Sequence, residues 1–183
     1  MDSINRQQPE QNRRDLSGAG AIERVRDMTK DADTCFLATA ASLGPSRGVR
    51  PMSVRETDDK GALWFLSSID SHKNQEIAID PNVKLFFQVS KHSGFLELDG
   101  HADISQDKAQ IKRLWNFMLR TWFTDGEDDP RITVIKVTPR SGYYWDNKHG
   151  DAVAGAKVAV GAVAGVTLDD SVEGRLSFDY LTK

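Results

Sequence analysis

The sequence contains one cysteine, Cys35, among its 183 residues, and therefore cannot form an internal disulfide. A lone thiol fits a reducing compartment, and Cys35 is more typical of a small buried strand residue than of a reactive group. The first residues, MDSINRQQPEQNRRD, lack the apolar segment of a secretory signal. No apolar stretch approaches the roughly 20 residues that a spanning helix needs. We therefore expect a cytoplasmic protein that is neither secreted nor embedded in a membrane.

An excess of positive charge is also missing. The chain has 24 Lys and Arg against 27 Asp and Glu, which gives a net charge of −3 and a pI near 5.8. This balance provides no general attraction for nucleic acids, so any affinity for a phosphate group must come from a local cluster of side chains. The four histidines, His72, His92, His101 and His149, are not spaced like metal ligands. We expect no nucleic-acid partner and no metal site.

The composition predicts one globular domain with two tails. Hydrophobic residues make up 39% of the chain, and the mean hydropathy is −0.49. Residues 1–17 are polar, and we expect them to be disordered. Residues 18–150 carry the strands and helices of the domain. In the tail, 151–183, GRLSFDY at 174–180 alternates like an extra strand, whereas AVAGAKVAVGAVAGV at 152–166 suits a packed arm, disorder, or a membrane or partner contact.

Short apolar segments separated by turn residues predict six strands. In one of them, 94–104, aromatic and charged residues alternate with small and apolar ones, so that its two faces differ. Six short strands with flanking helices are typical of a small closed or half-closed antiparallel barrel. The six segments are 34–42, 47–56, 62–68, 83–90, 94–104 and 132–137.

Three segments have the spacing of helices. The first, 18–31, is amphipathic, and the second begins at Ser71 and ends before DPN at 80–82. The third is predicted to run from about Asp107 to Trp122. Its apolar face would be formed by Ile111, Leu114, Trp115, Met118 and Trp122.

The second predicted strand, RGVRPMSVRE, has a proline in its middle. Residues around Pro51 favour a strand, but proline cannot donate to a hydrogen-bond ladder. A proline in such a place indicates an edge strand or a bulge. The backbone there is free to contact something other than another strand.

Possible anion ligands cluster after the third predicted strand. Ser67, Ser71, His72 and Lys73 lie around the N-terminus of a helix, and Arg50 reaches the same place if the neighbouring strands pair as a hairpin. Cations, hydroxyl groups and a helix terminus together suit a phosphate dianion. In the alternative interpretation, Ser71 only caps the helix and Lys73 is a solvated surface charge.

Three parts of the chain carry a family resemblance: RGVRPMSV, then LWFLSSIDSHKNQEIAIDPNVKLFF, then LWNFMLRTWFTDGEDDPRITVIKV with GYYWD behind it. They resemble the pyridoxamine 5′-phosphate oxidase-like superfamily of FMN-binding split barrels, and especially its general stress protein 26 branch. The resemblance covers about residues 18–150. It implies a mainly β fold, a six-stranded antiparallel split β-barrel of Greek-key type with flanking helices, in a homodimer that holds FMN at the subunit interface. The interrupted strand around Pro51 would then present its backbone to the flavin.

The resemblance also implies a set of cofactor-binding residues. The strand that begins with an arginine would line the flavin phosphate and ring edge, and the next strand end and helix start would hold the phosphate and ribityl chain. Lys73 matches the family's phosphate lysine, and His72 stands where the true oxidases carry an arginine. Two tryptophans resemble aromatic positions near the flavin or the dimer seam, although core or interface packing explains them equally well. The predicted residues are Arg50, Pro51, Met52, Ser53, Leu66, Ser67, Ser71, His72, Lys73, Trp122 and Trp145.

One departure from the family limits the predicted activity. True oxidases follow their last core strand with an Arg- and His-containing segment that binds the substrate phosphate, whereas this chain has YYWDNKHGDAVAGAK there. This argues against pyridoxamine 5′-phosphate oxidase activity. We expect an FMN-binding general stress protein that acts as a flavin-dependent oxidoreductase on a small molecule, with the chemistry supplied by the cofactor. The alternatives are a non-catalytic flavin-binding or flavin-buffering protein, and a barrel that holds haem or a deazaflavin.

Overall fold

The structure is a computed structural model that describes residues 12–30, 32–43, 45, 48–89, 94–147 and 170–178. Within these residues, nine strands form one sheet and three α-helices flank it. The strands are β1 (Leu16–Ser17), β2 (Thr34–Thr39), β3 (Val49–Ser53), β4 (Glu56–Thr57), β5 (Leu63–Ser68), β6 (Asn82–Val89), β7 (Gly94–Ser105), β8 (Ile132–Asn147) and β9 (Ser171–Ser177). The helices are α1 (Ala19–Thr29), α2 (His72–Ile79) and α3 (Lys108–Leu114). The predicted mainly β fold is confirmed.

The sheet follows the order β1-β9-β8-β7-β6-β2-β3, and β5 pairs with β4 and β8. The first part of β8 pairs with β5, whereas its second part pairs with β9. Among the described strands, β3 and β5 lie side by side but are not paired, so the barrel is open between them. The predicted six antiparallel strands are extended by β1, β4 and β9, and β1 runs parallel to β9.

The main core lies inside the curved sheet and is closed at one end by α1. Alternate residues of the strands point into it, as the period of two predicts. The pairing register of β7 and β8 shifts between Asp99 and Gly100, and such an irregularity bends this long strand pair. Fully buried members of this core include Val25, Leu37, Phe65, Leu85, Leu98 and Tyr144.

A second, smaller core lies between α3 and the outer face of β5 and β8. The residues of β5 divide between the two cores, because Leu63 and Phe65 face the main core while Trp64 and Leu66 pack on the smaller one. Its buried members are Ile111, Leu114, Phe123, Ile132 and Val134.

The first two helices form where the sequence predicts them. The expected face of α1 is present, with Val25 and Met28 buried. Ser71 caps α2 by accepting a hydrogen bond from the backbone N–H of Asn74, and the helix ends at Asp80 in extended geometry. No helix among the described residues is long and apolar enough to cross a membrane.

The third helix is shorter than predicted. It ends at Leu114 because Trp115 has extended backbone angles. Asn116 then accepts a hydrogen bond from the N–H of Met118 and starts a separate 3-10 helix at Phe117–Thr121. An asparagine side chain that bonds to nearby backbone competes with a continuing helix. The expectation of one apolar face through Trp122 is therefore wrong, and Met118 and Trp122 are 72% and 67% exposed.

The predicted disorder of residues 1–17 does not hold for residues 12–17, which lie against the sheet. Leu16 and Ser17 pair with β9, and the hydroxyl of Tyr144 donates to the carbonyl of Arg14 over 2.8 Å. Gly174 permits this approach, because a Cβ there would overlap the carbonyl oxygen of Arg14. The predicted strand around 174–180 is present as β9, whereas residues 152–166 lie outside the described residues.

Two predictions depend on the properties of single residues, Pro51 and Cys35. Pro51 lies in β3, at one end of the strand order, where a missing N–H leaves no gap in a central ladder. Cys35 is 4% exposed in β2, and its burial raises the pKa of the thiol to about 12. A thiol in that state is not a nucleophile at neutral pH.

Candidate functional site

A cleft of about 410 Å³ lies between β3, the C-terminal end of β5, the first turn of α2 and the 3-10 segment behind α3. Predicted residues that line it are Pro51, Met52, Ser53, Leu66, Ser67, Lys73 and Trp122. Lining residues that the sequence did not predict are Arg55, Ser68, Asp70, Leu119, Phe123 and Arg131. The cleft therefore opens where the edge strand β3 faces the unpaired side of β5.

Lys73 is the cation that the first turn of α2 presents to this cleft. Its side chain is half-buried, and within the described part of the chain no hydrogen bond or ion pair engages its ammonium group. Burial, followed by the nearby charge of Arg50, lowers the pKa of Lys73. A desolvated cation without a partner is costly, and an anionic ligand would relieve that cost.

Two serine hydroxyl groups lie near the start of α2: Ser67 lines the cleft with Lys73, whereas Ser71 does not line it but contacts Ser67. The Ser67 and Ser71 oxygens are 3.1 Å apart, and Ser67 is buried at the end of β5. Ser71 also caps α2. The positive end of the helix dipole and two hydroxyl groups thus meet next to a cation, which is a favourable arrangement for a phosphate.

Apolar and aromatic residues also line the cleft. Trp122 is largely exposed at the cleft, and Phe123 beside it is buried against Trp115, with ring centroids 6.4 Å apart. Leu66 and Leu119 continue this surface from the smaller core. The cleft therefore offers groups that can bind an anion and groups that can contact a flat, apolar molecule.

Arg50 does not line the cleft, although it lies close to Lys73. Its Nη1 donates to Glu76 over 2.6 Å, and Glu76 also accepts from the Thr39 hydroxyl and the Leu43 N–H. Burial alone would raise the pKa of Glu76, but these hydrogen bonds outweigh it and lower the pKa to about 2. The expectation that Arg50 points at the same spot as Lys73 is not what the structure shows.

Besides Arg50 and the capping Ser71, two more predicted residues lie outside the cleft lining. His72 is exposed at the start of α2. Trp145 contacts Tyr143, with ring centroids 4.6 Å apart, and lines a separate groove of about 590 Å³ with Phe86 and Phe95 on the sheet surface. Within one chain, neither side chain lines the cleft together with Lys73 and Trp122.

The unpredicted arginines enter the cleft through tertiary structure. Arg55 follows β3, and its Nε donates to the carbonyl of Leu114. Arg131 precedes β8, and its carbonyl accepts from the N–H of Ile69 at the end of β5. Arg55 was visible in the quoted strand segment, but no local pattern marks Arg131, because only the pairing of β5 with β8 brings it to the cleft.

Residues 20–169 match the family described as pyridoxamine 5′-phosphate oxidase like. Protein bli-3 of Neurospora crassa is 26% identical over 161 residues, which cover 82% of this chain and 72% of that protein. General stress protein 26 of Bacillus subtilis is 29% identical over 80 residues, which cover 42% of this chain and 56% of that protein.

Solved structures share the fold. A protein described as general stress protein 26 from Jannaschia sp. superimposes with a TM-score of 0.73 and 25% identity, over 85% of this chain and 97% of that one. A protein from Xanthomonas citri, described as a general stress FMN/FAD binding protein, gives a TM-score of 0.58 at 22% identity, over 69% and 87%. The family match spans most of the chain, and the chain belongs to the pyridoxamine 5′-phosphate oxidase-like family, with general stress protein 26 among its relatives.

Proposed function

We propose that this protein binds FMN and acts as a flavin-dependent oxidoreductase on a small molecule. One observation carries the proposal: the half-buried ammonium group of Lys73, without a partner among the described residues, lines the cleft together with Ser67, whose hydroxyl lies 3.1 Å from that of Ser71. This donor set fits the phosphate of FMN, since it offers a positive charge and directional hydrogen bonds. The FMN/FAD binding described for the Xanthomonas citri protein supports a flavin in a cleft of this fold.

The remaining walls suit the rest of such a ligand. Trp122 offers an exposed aromatic surface, and the backbone of β3 around Met52 and Ser53 borders the cleft at an edge that no described strand covers. A bound flavin supplies the transfer of electrons or hydride. The chain's own residues bind the phosphate, orient the ring and exclude water from one side of it.

A homodimer completes this proposal. Phe117, Met118 and Trp122 are 77%, 72% and 67% exposed on the 3-10 segment next to the cleft. Exposed apolar side chains grouped on one short segment are typical of an interface, and a two-fold axis there would place the cleft at the seam. We also propose a cytoplasmic protein without nucleic-acid partners, in line with its acidic charge and buried thiol.

The test begins with the flavin-loaded protein under anaerobic conditions. NADH or NADPH is added, and the flavin absorbance is followed. Bleaching on a turnover timescale supports the oxidoreductase, whereas a bound flavin that does not respond to either donor favours a flavin-binding or flavin-buffering protein. Failure to bind flavin at all would contradict both.

A further inference from the structure

A second cation of the cleft, Arg131, is held in a fixed orientation by a buried carboxylate. Its Nε and Nη2 donate to the two oxygens of Asp129 over 3.0 and 2.7 Å. Asp129 has no exposed surface, and it also accepts from the backbone N–H of Arg131 over 2.9 Å. A bidentate pair of this geometry restricts the guanidinium plane.

The backbone around Arg131 is fastened on both sides. Gln106 donates to the carbonyl of Pro130 over 2.8 Å, and the N–H of Ile132 bonds to Asp129. The carbonyl of Arg131 accepts from Ile69, which belongs to the turn between β5 and α2. Arg131 is therefore connected to the wall that carries the serines and Lys73.

The guanidinium keeps one edge for a ligand. Within the described ranges, no hydrogen bond engages Nη1 of Arg131, although the residue lines the cleft and its side chain is 48% exposed. A turn could be held by the Asp129 carboxylate and the backbone N–H alone. The additional ion pair also fixes the direction of the remaining N–H donors of Arg131, whose side chain is part of the cleft wall.

The charges of Arg131 and Lys73 both act on Asp70. Asp70 lies on the same wall, and its pKa is lowered first by a hydrogen bond from Ser68 and further by the charges of Arg131 and Lys73. Among the described residues, Asp70 forms no ion pair with either cation. The two cations thus lie near one part of the cleft, while Arg50 is directed to Glu76.

We propose that Arg131, oriented by Asp129, is an anion-binding residue of the cleft and receives the phosphate or carboxylate group of a molecule bound there. The inference rests on the proposed function only for the identity of that molecule. The shared chemistry is an oxyanion that accepts hydrogen bonds from a fixed guanidinium edge. Its source is either the flavin phosphate or an anionic second molecule.

The first experiment uses flavin-free protein and inorganic sulfate as the probe. Thermal unfolding is followed in sodium sulfate and in sodium chloride of equal ionic strength, because sulfate also stabilises proteins without binding to a site. The variants are Arg131→Gln and, as a control away from the cleft lining, the exposed Arg140→Gln on β8. We expect Arg131→Gln to weaken the sulfate-specific stabilisation, by about tenfold in apparent affinity. Equal stabilisation of wild type and Arg131→Gln would overturn the proposal.

The second experiment identifies the source of the anion. If Arg131→Gln weakens FMN at least tenfold and leaves riboflavin unchanged, the flavin phosphate is the ligand. If both flavins bind unchanged but sulfate no longer perturbs the spectrum of the FMN-loaded protein, the ligand is a second anion. A wild type that binds sulfate but no flavin would contradict the proposed function but not the anion site at Arg131.

A charge-conserving variant tests the orientation. Arg131→Lys keeps the positive charge but loses the bidentate pair with Asp129, so we expect it to fall short of wild type in sulfate binding. Full recovery by lysine would show that a point charge suffices and would contradict the role given to Asp129.

Discussion

Arg50 and Glu76 form a buried ion pair, with Nη1 and Oε2 2.6 Å apart and the Glu76 side chain fully buried. This pair joins β3 to α2, and the same carboxylate also accepts from Thr39 on β2 and from the N–H of Leu43. Glu76 thus fixes α2 against two strands. Because Lys73 lies one turn earlier on the same helix, the pair also determines where the cleft's cation stands.

Because of this pair, the free energy of unfolding should vary with pH in the acid range. The pKa of Glu76 falls from an ordinary value of 4.5 to about 2 in the folded protein. Its contribution of roughly 3 kcal/mol is present above about pH 4.5 and is lost as the pH falls towards 2. We expect Glu76→Gln to unfold at lower urea concentration at pH 7 and to lose less stability than wild type between pH 4.5 and 2.5. If the urea midpoint changes with pH in the same way for wild type and Glu76→Gln, the acid dependence does not come from Glu76. The exposed Glu23→Gln serves as the control.

Two glycines should respond to alanine with opposite signs. Gly174→Ala would force its Cβ onto the carbonyl of Arg14, so the N-terminal segment must move away from β9. In Gly20→Ala, the new Cβ meets only the Leu16 side chain at 3.9 Å, and alanine favours the helix by up to about 1 kcal/mol. Thermal unfolding should show a lower Tm for Gly174→Ala and an unchanged or higher Tm for Gly20→Ala. A neutral Gly174→Ala would mean that residues 12–17 do not pack on the sheet as described.

The dimer proposal has its own test on the 3-10 segment. Phe117 is 77% exposed, so an aspartate in its place costs the monomer little but introduces charge into the proposed seam. We expect light scattering to give a particle of twice 20.4 kDa for wild type and a smaller average mass for Phe117→Asp. Ile79→Asp, on the exposed end of α2, is the control and should behave like wild type. A wild type that stays at 20.4 kDa with FMN tightly bound would refute the dimer.

The features that the sequence predicts here are those that depend on local chemistry. Pro51 indicates an edge strand because proline cannot donate, and Ser71 indicates a helix start because its hydroxyl caps free N–H groups. The alternation of β7 likewise gives its two faces correctly. These features need no knowledge of distant residues.

The sequence says less where a competing or distant partner decides the structure. Arg50 was placed near the phosphate from its position in the sequence, whereas its ion pair with Glu76 depends on how α2 packs against β3. The third helix was expected to continue because its apolar spacing persists, yet Asn116 bonds to the backbone and ends it. Arg131 was missed because only the pairing of β5 and β8 brings it to the cleft.

The proposed function depends most on Lys73, which we expect to bind the phosphate of a flavin. The most direct measurement is the dissociation constant of FMN and of riboflavin, which lacks the phosphate, for wild type, Lys73→Met and the exposed control Lys112→Met. Removal of one charge-assisted hydrogen bond, worth roughly 1.5 to 3 kcal/mol, should weaken FMN by about ten- to a hundredfold in Lys73→Met. Riboflavin binding, and both flavins in Lys112→Met, should stay unchanged. Equal losses of FMN and riboflavin binding in Lys73→Met, or no loss of either, would show that Lys73 does not bind the flavin phosphate.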